Sequence, residues 1–204
     1  LHDEFEMLYA SLFKKPEPYV RVIELLAKKK MGMTRKELIC AGKFDDNGSF
    51  SDILNDLEWC GFIRRYTMMG YTVKSDIIQL VDHFTLFYYE YINGARQGAN
   101  YWKTMLGTPK YFNWCGLAFE RTCLWHTDQI KKKLGISGIL TNEYAWRCQA
   151  DEATATRGVQ IDLLIDRSDD VIDLCEMKYS NEKYTITSEY AQELARKRNV
   201  FQSV

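Results

Sequence analysis

The stretch Gly158–Tyr179, GVQIDLLIDRSDDVIDLCEMKY, constrains this chain more than any other. It reads as two apolar strands joined by the polar turn RSDD at 167–170. Strand side chains alternate faces. Val159, Ile161, Leu163 and Ile165 are expected on one face, and Gln160, Asp162, Leu164 and Asp166 on the other. Ile172, Leu174, Glu176 and Lys178 share a face of the second strand. So apolar a hairpin belongs in a covered sheet, where charged groups are costly unless paired or bound to metal. Antiparallel pairing sets Asp162 and Glu176 at roughly facing positions, within reach of each other if their faces agree.

The remaining composition narrows the class. The 204 residues are enough for one large domain or two small ones, and 46% hydrophobic content can bury a core. A net charge of −1 gives no overall pull toward nucleic acid, so any such contact must come from local patches. The six cysteines are scattered and form no CxxC, which suits thiols used as small apolar residues in a reducing cytoplasm. With three scattered histidines, a structural zinc site is not expected. No apolar run is long enough to span a membrane, and no signal peptide opens the chain. A cytoplasmic protein with no membrane partner is therefore expected. The chain opens on Leu1 and stops in a charged, helix-like stretch, so it is expected to be a piece of something longer.

Along the first third, spacing predicts helices over 2–13 and 19–29, with Pro16 and Pro18 between them and Val20, Ile23, Leu25 and Leu26 as core candidates. Thr34 followed by Glu37 forms a capping box for a short helix ending at Gly42. Ser49 is expected to cap a third helix that stops at Gly61, and FIRRY and YTVK read as two short strands. Three short helices and a small hairpin are the order of a winged helix-turn-helix, placed at about 1–75. The segment 76–93 reads as one aromatic helix, and 94–112 as the linker. A long helix is expected over 114–134, with Cys115, Phe119, Cys123, His126, Ile130 and Leu134 as its apolar stripe, and Gly135 ending it. Strands follow at 144–149, 158–167 and 171–179, then a helix from about Ser188. The boundaries are thus 1–75, 76–110 and 111–204, in a mixed α/β chain.

Two carboxylates and a lysine two residues on are what a metal-dependent phosphodiesterase needs. Asp162 and Glu176 could hold Mg²⁺ or Mn²⁺, hard ions that prefer oxygen ligands. The metal activates a water, and Lys178 orients it or meets the transition-state charge. Glu120 is the candidate third acid, because Gly116 one turn before it would let a strand approach.

FE at 119–120, ID at 161–162 and EMK at 176–178, in the order helix, strand, turn, strand, helix, resemble the PD-(D/E)XK nuclease superfamily. The resemblance covers about 114–200 and implies a restriction-endonuclease-like α/β/α domain. Ile161 stands where the family's proline is usual. The last strand such a core carries is expected to be missing. A lid-like helix with LYASLF, a winged helix, the helix DIIQLVDHFTLFYYEYI, GxxFE and this core together resemble the C-terminal half of archaeal-type AAA+ ATPases. That resemblance covers nearly the whole chain and implies a P-loop domain upstream as partner. No GxxxxGK[ST] stands in these residues, so ATP would act only through that upstream domain.

The competing readings are a non-catalytic DNA- or protein-interaction module of the ATPase, and a winged-helix transcription regulator. The third helix carries Asp52, Asp56 and Glu58 and no Lys or Arg, so it is expected to dock protein rather than enter a DNA groove. Lys28–Lys30, Arg35, Lys36, Arg64 and Arg65 form either a phosphate-contacting patch or a solvated charged face. Phe84, Phe87, Tyr88, Tyr89 and Tyr91 are read as core or an interdomain seam rather than as a base-stacking surface, and His126 as a packed histidine. Lys183, Arg196, Lys197 and Arg198 follow the site and are candidates to face DNA, the expected nucleic-acid partner; self-association is left open.

Overall fold

A capping box, a proline cap followed by a first-turn proline, and a bulged strand set much of the local structure. The computed structural model describes residues 2–70, 76–93, 101–148 and 157–203. It is mixed α/β and divides into two units: Leu1–Thr67 with Tyr71–Leu106, and Met68–Gly70 with Gly107–Val204.

In the first unit, α1 spans His2–Leu12 and α2 spans Glu17–Lys28. The prolines do not break α2 but start it. Pro16 is its N-cap and Pro18 lies in its first turn, where the missing N–H has no helical partner to lose. Val22, Ile23 and Leu26 are its buried residues, whereas Val20 and Leu25 are only half-buried. Gly32 at φ 83° turns the chain into β1, Met33–Thr34. A Cβ there would lie 2.5 Å from the Ile78 carbonyl oxygen, so the close approach requires glycine. Helix α3, Arg35–Gly42, opens on the capping box: Glu37 donates its N–H to the Thr34 hydroxyl and accepts the Thr34 N–H. Helix α4, Gly48–Trp59, is capped by Asn47 rather than Ser49; the Asn47 side chain accepts the Phe50 N–H.

Strand β2, Ile63–Met68, pairs antiparallel with β3, Ile77–Leu80, and β1 pairs with the other edge of β3. The reading of 76–93 as one helix is therefore corrected. Ile77 and Ile78 favour the pleated ladder, and Asp82 marks the true helix start by accepting the Thr85 N–H. Helix α5, His83–Phe87, then widens into a π-helical turn, Tyr88–Ile92. The YTVK strand lies outside the described residues. Of the aromatic run, Tyr88 and Tyr91 are buried and Phe84, Phe87 and Tyr89 are half-buried, and Phe5 of α1 stacks on Tyr88 at 3.8 Å. Tyr9 and Thr85 share a buried 3.0 Å hydrogen bond.

The second unit opens inside the expected linker. Helix α6, Tyr101–Met105, belongs to the first unit, and α7, Pro109–Trp125, begins with Thr108 as cap. The long helix is two helices, because His126 breaks the path before α8, Thr127–Leu134. The stripe fails with it. Phe119, His126 and Leu134 are exposed, and the buried residue of α7 is Arg121. Its guanidinium donates a long 3.4 Å bond to the Leu117 carbonyl, and burial lowers its pKa.

Strands β4 (Thr141–Cys148), β5 (Val159–Arg167) and β6 (Ile172–Cys175) form an antiparallel sheet with β5 central. One face packs Trp146, Val159, Ile161 and Leu164 against Val200 and Phe201 of α9, Ser188–Ser203. The other packs Leu163 and Ile165 with Ile136 and Leu124. Ile161 and Leu164 thus share a face, which strict alternation forbids. The register explains it: Tyr144 pairs with Leu164 and Trp146 with Ile161, two steps on β4 against three on β5. An extra residue is bulged into β5 at 162–163.

Candidate functional site

Asp162 sits at this bulge. Bulges re-aim side chains and recur beside active sites. The β5–β6 register runs Leu164 to Leu174 and Leu163 to Cys175, and one further step would set Asp162 opposite Glu176. Strand β6 ends at Cys175, however, three residues before Lys178. The expected strand to 179 is corrected because the backbone after Cys175 turns to other partners: the Asp162 carboxylate accepts the Met177 N–H at 2.9 Å. That bond takes the place of the next ladder rung.

The structure brings Asp162, Glu176 and Lys178 together. Glu176 is the hub. Its Oε1 accepts from Lys178 at 2.9 Å and from the Tyr190 hydroxyl at 3.0 Å, and its Oε2 accepts from Lys197 at 2.6 Å. The Lys178 ammonium also lies 5.2 Å from the Tyr190 ring centroid. Tyr190 and Lys197 are one and three turns into α9, on the same side of the helix. Sequence reasoning missed Tyr190 altogether and read Lys197 only as a candidate to face DNA. No local spacing links either residue to Glu176.

The electrostatics of the two acids diverge. Burial raises the pKa of Asp162, with the Glu176 charge adding to it, while the Met177 N–H and the two lysines work against the rise. Burial acts on Glu176 in the same direction, but hydrogen bonds from Lys197 and Lys178 outweigh it and the pKa falls. Lys178 is held protonated despite its own desolvation, through Glu176 and Tyr190. Burial pushes the Tyr190 hydroxyl up to about 12. It also pushes the Cys175 thiol up to about 11, with Asp173 and Asp162 contributing.

Glu120 is placed differently. It lies on α7 within electrostatic range of Cys123, a residue that also feels Asp162. Yet among the described residues no three His, Cys, Asp or Glu side chains gather closely enough to hold a metal ion. Gly116 does not admit a strand either, since a Cβ there would meet nothing within 4 Å. Among the described residues no helix is long and apolar enough to cross a membrane.

Two cavities flank Glu176 in this unit. One, of about 410 Å³, runs along α9 past Leu194, Lys197 and Arg198. The other, of about 420 Å³, is walled by Phe119, Cys123, Tyr184 and Tyr190, with Lys178 and Glu176 on its lining.

The candidate basic patch of the first unit is largely neutralised. Lys29 pairs with Glu37, Lys30 with Glu90, Arg35 with Asp46 and Arg65 with Glu58. Trp59, at the end of the acidic α4, is 83% exposed.

Comparison with family models, curated proteins and solved structures returns no match.

Proposed function

We propose that this chain is the C-terminal part of an AAA+-type ATPase, in which a winged helix precedes a PD-(D/E)XK-like module that binds DNA and cleaves phosphodiesters. The observation that carries the reading is the gathering of Asp162, at the bulge of β5, with Glu176 and Lys178: Asp162 accepts the N–H of Met177, which lies between them, and Glu176 holds the Lys178 ammonium at 2.9 Å. A sheet with packed helices on both faces supports the nuclease-like fold. The order helix, strand, two helices, two strands over 17–80 supports the winged helix.

The donor set suits a hard cation through two carboxylates, Asp162 and Glu176, with water and phosphate oxygens as its remaining ligands. Glu120 stands outside this pair. When bound, Mg²⁺ or Mn²⁺ supplies charge neutralisation at the phosphate and an acidified water. The chain does the rest. The Met177 N–H orients the Asp162 carboxylate. Lys178 offers a fixed positive charge to the transition state, and Tyr190 holds both Glu176 and the lysine in place. Lys197 occupies the second oxygen of Glu176, and metal binding by Glu176 must loosen that pair.

A second reading, a regulatory module that binds without cutting, is favoured by one observation: both Glu176 oxygens already hold cationic partners, and among the described residues no third acid joins them. The acidic α4 with its exposed Trp59 points the winged helix toward protein rather than DNA. The test is Mn²⁺-dependent nicking of supercoiled DNA by the chain. Cleavage lost in both Lys178→Ala and Glu176→Ala supports the nuclease. Cleavage unchanged in both variants refutes these roles, and no cleavage with intact DNA binding supports the regulatory module.

A further inference from the structure

The 420 Å³ cavity beside Lys178 has a composition that the phosphodiester chemistry alone does not require. Its walls are aromatic and apolar: Phe119 from α7, Tyr184 and Ile186 from the segment before α9, and Tyr190 from α9. Tyr184 and Tyr190 meet edge to face at 6.0 Å, and Phe119 meets Tyr179 in the same way at 6.2 Å, so the rings are held by one another. Phe119 is nevertheless 39% exposed, Tyr184 45% and Ile186 58%. Large apolar groups with this much open surface, clustered around a cavity, mark a binding surface more than a core.

The charges at its edge are arranged for a phosphate backbone. Glu176 and Lys178 line this cavity, and Lys197 and Arg198 line the neighbouring one that Glu176 shares. Three cations and one carboxylate, Glu176, line the two cavities, and a bound divalent ion would make the balance more positive. An aromatic-walled cavity adjoining a locally positive strip is the form of a single-stranded nucleic-acid site. Bases stack on aromatic faces, and cations follow the backbone. A continuous duplex keeps its bases stacked inside and has nothing to place in such a cavity.

Building on the reading of Asp162, Glu176 and Lys178 as a phosphate-facing centre, we infer that this cavity takes an unstacked nucleobase. The substrate class is therefore single-stranded DNA, or a frayed or flapped end, rather than continuous duplex. The base adjoining the scissile phosphate enters between Phe119 and Tyr184, and this fixes where along the strand the phosphate meets Lys178.

The test is fluorescence anisotropy of a labelled single-stranded DNA dodecamer, and of its blunt duplex, with the 204-residue chain in EDTA, so that binding is read without cleavage. The strand is expected to bind about tenfold tighter than the duplex. Tyr184→Ala and Phe119→Ala are each expected to weaken strand binding by about 5- to 100-fold, the range of one lost stacking contact, and to leave duplex binding unchanged. Tyr184→Phe keeps the ring and is expected to retain strand affinity, which separates stacking from loss of folding. Duplex binding equal to strand binding, or strand affinity within twofold of wild type in both alanine variants, overturns the inference even where Mn²⁺-dependent nicking persists. Ring-dependent strand binding without nicking upholds it while refuting the nuclease reading.

Discussion

Replacing Glu176 by glutamine tests the hub of the site without changing its shape. The Glu176 side chain is 14% exposed and Lys197 is 17% exposed, with 2.6 Å between their charged atoms. An amide at 176 can still accept from Tyr190, but it removes the charge that Lys197 meets at 2.6 Å and leaves only the more distant Asp162. A hydrogen bond to a charged group contributes about 1.5–3 kcal/mol, and leaving a largely buried charge unpaired adds to the loss. We therefore expect Glu176→Gln to cost about 2–3 kcal/mol. For a unit of this size that lowers Tm by roughly 10 °C.

Urea unfolding followed by circular dichroism at pH 7 reads this loss. A cycle with Lys197→Met isolates the pair, with an expected coupling of about 1–2 kcal/mol. The pH dependence has a definite sign. The folded pKa of Glu176 is depressed, so its contribution is complete above the ordinary glutamate value and is lost as pH falls through the folded value. The gap between wild type and Glu176→Gln should be constant from pH 6 to 8 and close below about pH 4. A Glu176→Gln protein within 0.5 kcal/mol of wild type at pH 7, with no coupling to Lys197→Met, would refute the reasoning.

The other site and fold predictions carry their own signs. Asp162 has a raised folded pKa, so its ionisation opposes folding above that value; Asp162→Asn, which keeps the acceptor for Met177, should raise Tm at pH 7, and the gain should fade toward pH 4. A lower Tm for Asp162→Asn at pH 7 contradicts this. Gly32→Ala combines a left-handed φ of 83° with a Cβ 2.5 Å from the Ile78 carbonyl oxygen, and should cost at least about 2 kcal/mol by urea unfolding. Asn47→Ala removes the cap of α4 and should cost about 1 kcal/mol, with Ser49→Ala near neutral by the same assay.

What could be read from the sequence was local. The capping box at Thr34 and Glu37, the stop at Gly135 and the RSDD turn all rest on contacts within a few residues, and the hairpin register followed from the turn. What could not be read depended on distant partners. Ile77–Leu80 pass for helix by spacing, and their pairing with β1 and β2 makes them a strand. The bulge at 162–163 arises from the register with β4, which no pattern within β5 encodes. The hold of Tyr190 and Lys197 on Glu176 is made by a helix that packs back onto the sheet. The apolar stripe of α7 failed for a related reason. Cys115 to Leu134 keep a helical period only if the helix runs straight, and it breaks at His126.

The proposed two-carboxylate cation site of Asp162 and Glu176 is tested most directly by calorimetric titration of Mn²⁺ into the chain. One site is expected in the wild type. It should be lost in Asp162→Asn and Glu176→Gln, tightened in Lys197→Met, where the competing ammonium is gone, and kept in Glu120→Gln. Equal Mn²⁺ binding by wild type and Asp162→Asn, or no binding even in Lys197→Met, would contradict it.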